Sequence, residues 1–456
     1  MKLYNTKTRQ LDELVPLDPS NIRIYTCGPT VYNVPHIGNY AAYIYWDLLV
    51  RTLKSTYGRD HVTRVLNLTD VGHLTSDGDE GEDKLEKGAR REGKTVWEIA
   101  DYYANIYLSD YDALHLEKPE VIARATDYIE PMMAAVDKMT ENGFTYETAD
   151  GIYFDTAKFP AYADFARLDL ENLKAGARVE YSSEKRNPSD FAVWKFIKPG
   201  ENHAMRWDYL GRPGYPGWHL ECSTIIAKEL GTPIDIHTGG IDHIPVHHTN
   251  EIAQTFALTG GPLANIWLHC NFITIDNEKI SKSLGNTYSL ADLADRGFSP
   301  LDYKMWVLEG TFQGTRNFTF EALAGAKARR LAWRNQAALR WQSNGPKAVT
   351  FESFEFAQDL KRSLNNNLNS PEAFAKIDSY TALPEAGWKV VDTLFGLNIL
   401  GSTPDISAEA KDLLAARAAA RAEKNWPESD RLRAALEPLG LTVKDTPSGQ
   451  IWQYLA

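Results

Sequence analysis

The run Arg23-Ile-Tyr-Thr-Cys27 is β-rich and breaks at Gly28-Pro29, after which apolar residues recur at helical spacing from 37 to about 56 and stop at Tyr57-Gly58. Residues 62–68 are apolar again and read as a second strand. Strand, turn, helix and strand in that order begin a doubly wound parallel sheet, an α/β fold whose ligands lie at the carboxyl ends of its strands. Pro233-Ile-Asp-Ile-His237, closing on Thr-Gly-Gly, and the run 266–275 predict later strands of the same sheet. Between about 118 and 205 the composition turns charged and turn-rich, which predicts an insertion splitting the sheet domain. Beyond Ser299-Pro300 the chain is mainly helical, most clearly over 320–341 and 408–424, with linkers at Asn344-Gly-Pro346 and Gly401-Ser-Thr-Pro404 and a small tail ending in Trp452.

A chain of 456 residues exceeds one simple core and suggests two to four domains. Its start, MKLYNTKTRQ, lacks the apolar run of a signal peptide, and no apolar stretch approaches the roughly 18 residues a membrane span needs. Cys27, Cys222 and Cys270 are odd in number and far apart, which argues for reduced thiols. A cytoplasmic protein is expected. The net charge of −12 makes a polyanion-binding surface no default reading, although basic residues cluster at 327–334 and 417–433, where solvated helix faces are the plainer account.

Three short motifs carry chemistry. In Cys27-Gly-Pro-Thr-Val-Tyr-Asn-Val-Pro-His-Ile-Gly-Asn39, Gly38 lets a base or phosphate approach the backbone at a helix N-terminus, and His36 can donate to a phosphate oxygen. Alone, it is equally a strand-helix turn with an incidental histidine. Lys279-Ile-Ser-Lys-Ser283, followed by Leu-Gly-Asn286, pairs two lysines among serines as a cationic clamp for a triphosphate, or as a solvated loop. Gly217-Trp-His-Leu-Glu-Cys222 adds a second thiol, and Ile241-Asp-His-Ile-Pro-Val-His-His-Thr-Asn-Glu251 packs three histidines and two acids, of the kinds that ligate zinc, into eleven residues. A helix starting near Pro245 turns His247 and Glu251 to one side. Taken singly, a buried cysteine is core and a histidine-rich loop is polar surface.

Taken together and in this order, the first two motifs resemble the signature sequences of the class I aminoacyl-tRNA synthetases, and the three jointly resemble the cysteinyl-tRNA synthetases. The resemblance runs nearly end to end, through Arg167-Leu-Asp-Leu-Glu-Asn-Leu-Lys-Ala-Gly-Ala-Arg178, Lys185-Arg-Asn-Pro-Ser-Asp-Phe-Ala-Val-Trp-Lys195, Leu368-Asn-Ser-Pro-Glu-Ala373 and Asp445-Thr-Pro-Ser-Gly-Gln-Ile-Trp452. It implies a Rossmann-like catalytic domain in two halves, 1–117 and 206–265, around a connective insertion at 118–205. A lysine-loop region contacting the tRNA stem would follow at 266–304, then a helical bundle at 305–400 and an anticodon-binding domain at 401–456.

The implied reaction joins L-cysteine to ATP as cysteinyl-adenylate, accompanied by Mg²⁺, and then transfers cysteine to the terminal adenosine of tRNA(Cys). By this resemblance His36, Gly38, Asn39, Gly240, Asp242 and Lys282 bind ATP, and His36, Asn39, Lys279 and Lys282 act on the reacting phosphates. Thr69, Trp218 and His219 surround the cysteine, Cys27, Cys222, His247 and Glu251 hold one zinc, and Arg421, Asp430 and Asp445 read the anticodon. A monomer is expected. The zinc selects the substrate thiol, because an apolar pocket separates close analogues by only ~1–3 kcal/mol; no segment requires a proofreading domain. Asn39 departs from a histidine common in the family and cannot become cationic; Ile280 replaces a methionine; Thr249 replaces a glutamate that is not a ligand. Cys270 reads as a core thiol. A relative that ligates cysteine to an amino sugar would share the metal set and both ATP motifs, but it has no anticodon to read. A silent RNA-binding paralogue would have lost a clamp lysine or a zinc ligand.

Overall fold

The computed structural model describes residues 1–71, 84–168, 184–198, 200–201, 203–217, 219–281, 285–343 and 352–455. Trp218, Lys282, most of 167–178 and the linker at 344–346 lie outside them.

Five parallel strands form the central sheet: β1 (Ile22–Thr26), β2 (Val62–Leu68), β3 (Val121–Arg124), β4 (Ile234–Gly240) and β5 (Ala264–Cys270), in the order β5-β4-β1-β2-β3. Helices α1 (Ile37–Tyr57), α2 (Val96–Ala113), α3 (Ile129–Glu141), α4 (Leu220–Glu229) and α5 (Thr249–Thr259) connect or cover them. Strands covered on both faces must be apolar almost throughout, and β1, β2 and β4 are nearly continuously buried. The chain leaves β1 towards β2 on one side and returns through β4 on the other. The strand order therefore reverses between β1 and β4, and that reversal opens a crevice at their carboxyl ends.

Two elements differ from the sequence-based expectation. The segment from Val121 to Glu141 supplies strand β3 and helix α3 of the parallel sheet, and the inserted five-stranded antiparallel sheet runs instead from Thr145 to Pro216. Val121-Ile-Ala is too short a run among charged neighbours to stand out. The predicted strand at 266–275 is broken at Asn271-Phe272, where the Asn271 N–H leaves the sheet for Phe312 O at 2.8 Å. Strand Ile273–Ile275 then joins Glu278–Lys279 and Arg316–Phe318 in a separate small sheet. Asp276 and Asn277, with φ of 50° and 66°, make the two-residue turn that such a hairpin favours. Lys279 thereby ends a hairpin anchored on the helical part of the chain.

Helix α1 is buried along most of its length and carries a charged group into that interior. The carboxylate of Asp47 accepts from Lys304 Nζ at 2.9 Å, Arg51 Nε at 2.8 Å and the Glu117 N–H at 2.7 Å. Lys304 lies on helix Pro300–Leu308, which Ser299 caps by accepting from the Asp302 N–H, so one ion pair ties sheet domain to bundle. The bundle helices Phe320–Ala337, Ser353–Leu364, Ser370–Asp378 and Glu385–Phe395 follow. A second, smaller core of Ala410, Leu414, Leu436, Leu441, Val443 and Trp452, closed by Ala338, holds the C-terminal helices and hairpin.

Candidate metal and nucleotide site

Cys27 is the first residue beyond β1, and its N–H donates to Thr238 O of β4 at 3.1 Å. The next N–H, of Gly28, donates to Asn67 Oδ1 at 2.7 Å, and a Cβ on Gly28 would lie 1.6 Å from the Asn67 carbonyl oxygen, so only glycine turns the chain here. On the facing strand a Cβ on Gly239 would lie 2.6 Å from His248 Cε1 and 2.9 Å from His243 Nδ1. Bare backbone at this end of β4 is what lets imidazole rings pack over the crevice.

Cys27, Cys222, His247 and Glu251 converge there, all buried, each offering one ligand atom within 4.8 Å of the others. Cys222 comes from the first turn of α4. His247 lies in a turn of π-helix, Ile244–His248, and Glu251 lies in the first turn of α5, which puts His247 Nε2 2.8 Å from Glu251 Oε1. The Thr249 hydroxyl donates to Ile244 O at 2.8 Å and ties that π-turn; a buried glutamate at this position could not make that bond. Cys222 Sγ lies 3.4 Å from His247 Nε2 and Cys27 Sγ 3.8 Å from Glu251 Oε1. A tetrahedron with bonds of ~2.0–2.3 Å has edges of about 3.3–3.8 Å, and these two separations match such edges. The His247–Glu251 hydrogen bond at 2.8 Å is shorter than one, and the donor types are those of zinc.

The ligand atoms are themselves oriented. Glu251 Oε2 is held by His237 Nε2 at 2.6 Å, which leaves Oε1 for the cluster. His247 Nδ1 shares a hydrogen bond of 2.8 Å with His219 Nδ1, which turns its Nε2 inward. Such outer partners fix the ring and raise ligand basicity. Burial disfavours a charged Glu251, yet His237 and His247 overcome it and hold the carboxyl well below the usual range. Burial also opposes the Cys222 thiolate, but a hydrogen bond from Cys27 and the His247 imidazole bring that thiol down to about 6. Cys27 is pushed well up, first by burial and then by its bond to Cys222. A second grouping, Cys27, His237, His248 and Glu251, also lies within 4.8 Å. His237 is already committed to Glu251 in it, and one thiolate replaces two; the first set is the better match to zinc.

Further along the same motif, His36 is the N-cap of α1, and Asn39 accepts the His36 N–H on Oδ1 at 3.0 Å. Its amide NH₂ remains as the donor. A Cβ on Gly38 would lie 2.7 Å from Ile280 Cδ1 and 3.0 Å from the His36 ring. The two phosphate motifs, far apart in sequence, thus touch through Gly38 and Ile280. Asn286 closes the lysine loop by accepting the Ser281 N–H at 2.8 Å and donating to Lys279 O at 3.1 Å. Gly240 ends β4, and exposed Asp242 follows in the turn Ile241–His243.

Comparison with known proteins gives the family. Residues 13–328 match a family model described as the class I (C) tRNA synthetase catalytic domain, and 403–452 match the cysteinyl-tRNA ligase anticodon-binding domain. Cysteine–tRNA ligase 1 of Burkholderia lata is 42% identical over 99% of this chain and 96% of its own length. The cysteine–tRNA ligase of Treponema denticola is 36% identical, with 100% of both chains covered. The chain belongs to the cysteine–tRNA ligase family. A Mycobacterium tuberculosis methionyl-tRNA synthetase solved with methionyl-adenylate shares the fold, with a TM-score of 0.58 at 15% identity, covering 83% of this chain and 88% of that one. The anticodon-binding match removes the amino-sugar ligase reading.

Other residues of the family motifs sit as follows. The buried Thr69 hydroxyl, at the end of β2, donates to Glu221 Oε1 at 2.7 Å and accepts from Asn67 Nδ2 at 3.0 Å. His219 lies against His247 and the Phe191 ring. In the C-terminal unit Asp445 is gripped by Arg417 at 2.9 and 3.0 Å and by Arg421 at 3.1 Å, while Asp430 is exposed on a neighbouring helix. Arg421 also lies 5.4 Å from the centre of the exposed Trp426 ring. Sequence reasoning missed His237, His248, His269 and Glu221. Glu221 is buried and pushed well above the carboxylate range, by burial first, and an acid inside an apolar helix start was its one visible signal.

Proposed function

We propose that this chain activates L-cysteine with ATP in the crevice between β1 and β4, selects it with a zinc ion on Cys27, Cys222, His247 and Glu251, and charges tRNA(Cys). The observation that carries the reading is the meeting of those four side chains from three separate segments at the strand reversal. When bound, zinc would take the substrate thiolate as a further ligand beside these four side chains, in preference to the hydroxyl of serine. The remaining work belongs to the protein. His237 and His219 hold Glu251 and His247 in their ligating orientation, and Thr69, Trp218 and His219 take the part that the family motif gives them, binding the substrate cysteine. The N-terminus of α1, with His36 and the Asn39 amide, offers donors and a positive dipole end to the phosphates. Gly38 keeps that turn open to ATP, Gly240 and Asp242 receive the ribose, and Lys279 and Lys282 stabilise departing pyrophosphate, with Mg²⁺ accompanying the ATP. Positioning and charge stabilisation account for the chemistry.

Arg421, Asp430 and Asp445 read anticodon bases, whose unstacked edges suit guanidinium and carboxylate partners. The reading carries a cytoplasmic monomer; among the described residues no helix is long and apolar enough to cross a membrane, and size-exclusion chromatography with light scattering tests the monomer. The deciding experiment is pyrophosphate exchange on the purified protein together with its zinc content. Stoichiometric zinc and exchange with cysteine but not serine are expected. Equal exchange with serine, or full activity in metal-free protein, overturns the selection.

A further inference from the structure

Beyond the ligands, a line of buried polar groups leads from Cys27 to the amino-terminal hairpin, in which Lys2–Asn5 pairs with Gln10–Glu13. His248 Nε2 lies 3.3 Å from Cys27 Sγ, His248 Nδ1 2.8 Å from His269 Nε2, and His269 Nδ1 2.7 Å from Thr6 Oγ1. All four residues are buried. Thr6 is fixed from behind, since its N–H donates to Trp267 O at 2.8 Å, while Asn5 accepts the Trp267 N–H at 2.9 Å and donates to Asn265 O at 3.0 Å. The Trp267 ring stacks on His237 at 4.5 Å and lies within 2° of parallel to the ring of His269, so the imidazole planes have little freedom.

We infer that Thr6, His269 and His248 form a directed hydrogen-bond chain that positions the Cys27 sulfur for the metal from the amino-terminal hairpin. The direction follows from counting protons. A metal-bound cysteine is a thiolate and only accepts, so His248 carries its proton on Nε2 and accepts on Nδ1. A neutral imidazole has one donor and one acceptor. His269 therefore donates from Nε2 and accepts on Nδ1, and the Thr6 hydroxyl supplies the last proton. Every nitrogen is satisfied in this arrangement. Were the metal held instead by the set that includes His248, its Nε2 would be a ligand and both tautomers would reverse, with His269 donating to Thr6. The tautomer state thus reports which set binds.

This inference rests on the zinc reading above, and the test separates the two. Thr6→Val keeps the shape and removes the hydroxyl; Thr6→Ser restores it. With full-length zinc-loaded protein, we expect Thr6→Val to lose zinc to a chromophoric chelator about 10-fold faster, the lower end of what outer partners of ligands contribute, and Thr6→Ser to behave as wild type. KM for cysteine should rise while KM for ATP stays. Long-range ¹H–¹⁵N correlation spectra of the unmutated protein should show His248 and His269 both protonated on Nε2. Unchanged zinc loss in Thr6→Val, or Nδ1-protonated histidines, overturns the chain. A wild type that retains no zinc overturns the metal reading and this inference with it, whereas a zinc-loaded protein indifferent to Thr6→Val overturns the chain alone.

Discussion

His247 Nε2 and Glu251 Oε1 stand 2.8 Å apart, one helical turn from each other, with His237 holding the opposite oxygen of the same carboxylate at 2.6 Å. Glu251 is thus pinned on one oxygen and presents the other. Glu251→Gln keeps its volume but replaces one oxygen by an NH₂ that cannot ligate. We expect zinc affinity to fall by at least about 100-fold, the upper end of what loss of a mere outer partner costs, with ATP binding retained. Chelator competition and nucleotide titration measure the two. Unaltered zinc affinity would remove Glu251 from the ligand set.

The contact between Gly38 and Ile280 gives a second test. Alanine at 38 places a methyl 2.7 Å from Ile280 Cδ1 and 3.0 Å from the His36 ring, so Ile280 must withdraw and the lysine loop with it. Gly38→Ala should slow cysteine-dependent pyrophosphate exchange, and Ile280→Val, which shortens the colliding side chain, should restore part of the rate. The double-mutant cycle measures the coupling; residues in contact typically show about 0.5–3 kcal/mol. Strict additivity would mean that the two motifs act independently.

These contacts also show which parts of the site a sequence displays. His247 and Glu251 are visible because their relation is local: four positions along a helix is one face. The glycine-rich ends of β1 and β4 are visible for the same reason, since the backbone demands no Cβ there. Cys27 and Cys222 become partners only once the strand order reverses between β1 and β4, and no spacing encodes that; the family resemblance supplied the pairing. His248 follows His247 directly, so periodicity points it away from the ligands, yet the π-turn brings its Nε2 back to within 3.3 Å of Cys27. Thr6 and His269 join it across a sheet edge. Strand β3 was hidden because Val121-Ile-Ala is brief and the charges around it suit an insertion equally well.

Asp47 makes the fold sensitive to acid. Burial raises its carboxyl, but Lys304 and Arg51 overcome burial and bring it to about 2, against an ordinary 3.8. Lys304 behaves oppositely: it faces fewer partners, burial dominates, and its pKa falls to about 8. A carboxyl depressed in the folded state stabilises above its unfolded pKa and loses that contribution as pH falls towards its folded value. Asp47 therefore contributes about 2 kcal/mol above pH ~4, lost between roughly pH 4 and 2. Asp47→Asn should abolish that acid limb in urea melts and, by leaving Lys304 buried beside a neutral amide, cost about 3–5 kcal/mol at neutral pH. A variant as stable as wild type at pH 7 would show that Glu117 and the His115 carbonyl alone compensate the lysine.

Arg417 and Asp445 bear on the RNA partner. Arg417 is 1% exposed and grips both oxygens of Asp445 at 2.9 and 3.0 Å while also donating to Gln450 at 2.8 Å. That grip fixes the hairpin Leu441–Thr446 with Gly449–Tyr454 and sets the direction of the Asp445 carboxylate beside Arg421. Its hydrogen bonds are charge-assisted and worth about 1.5–3 kcal/mol each, so Arg417→Ala should release Asp445 and raise KM for tRNA by at least about tenfold. The catalytic crevice has its own core, so cysteine-dependent pyrophosphate exchange, which needs no tRNA, should stay within experimental error of wild type. Equal losses in exchange and in charging would mean that Arg417 supports the whole fold rather than the surface that meets the anticodon.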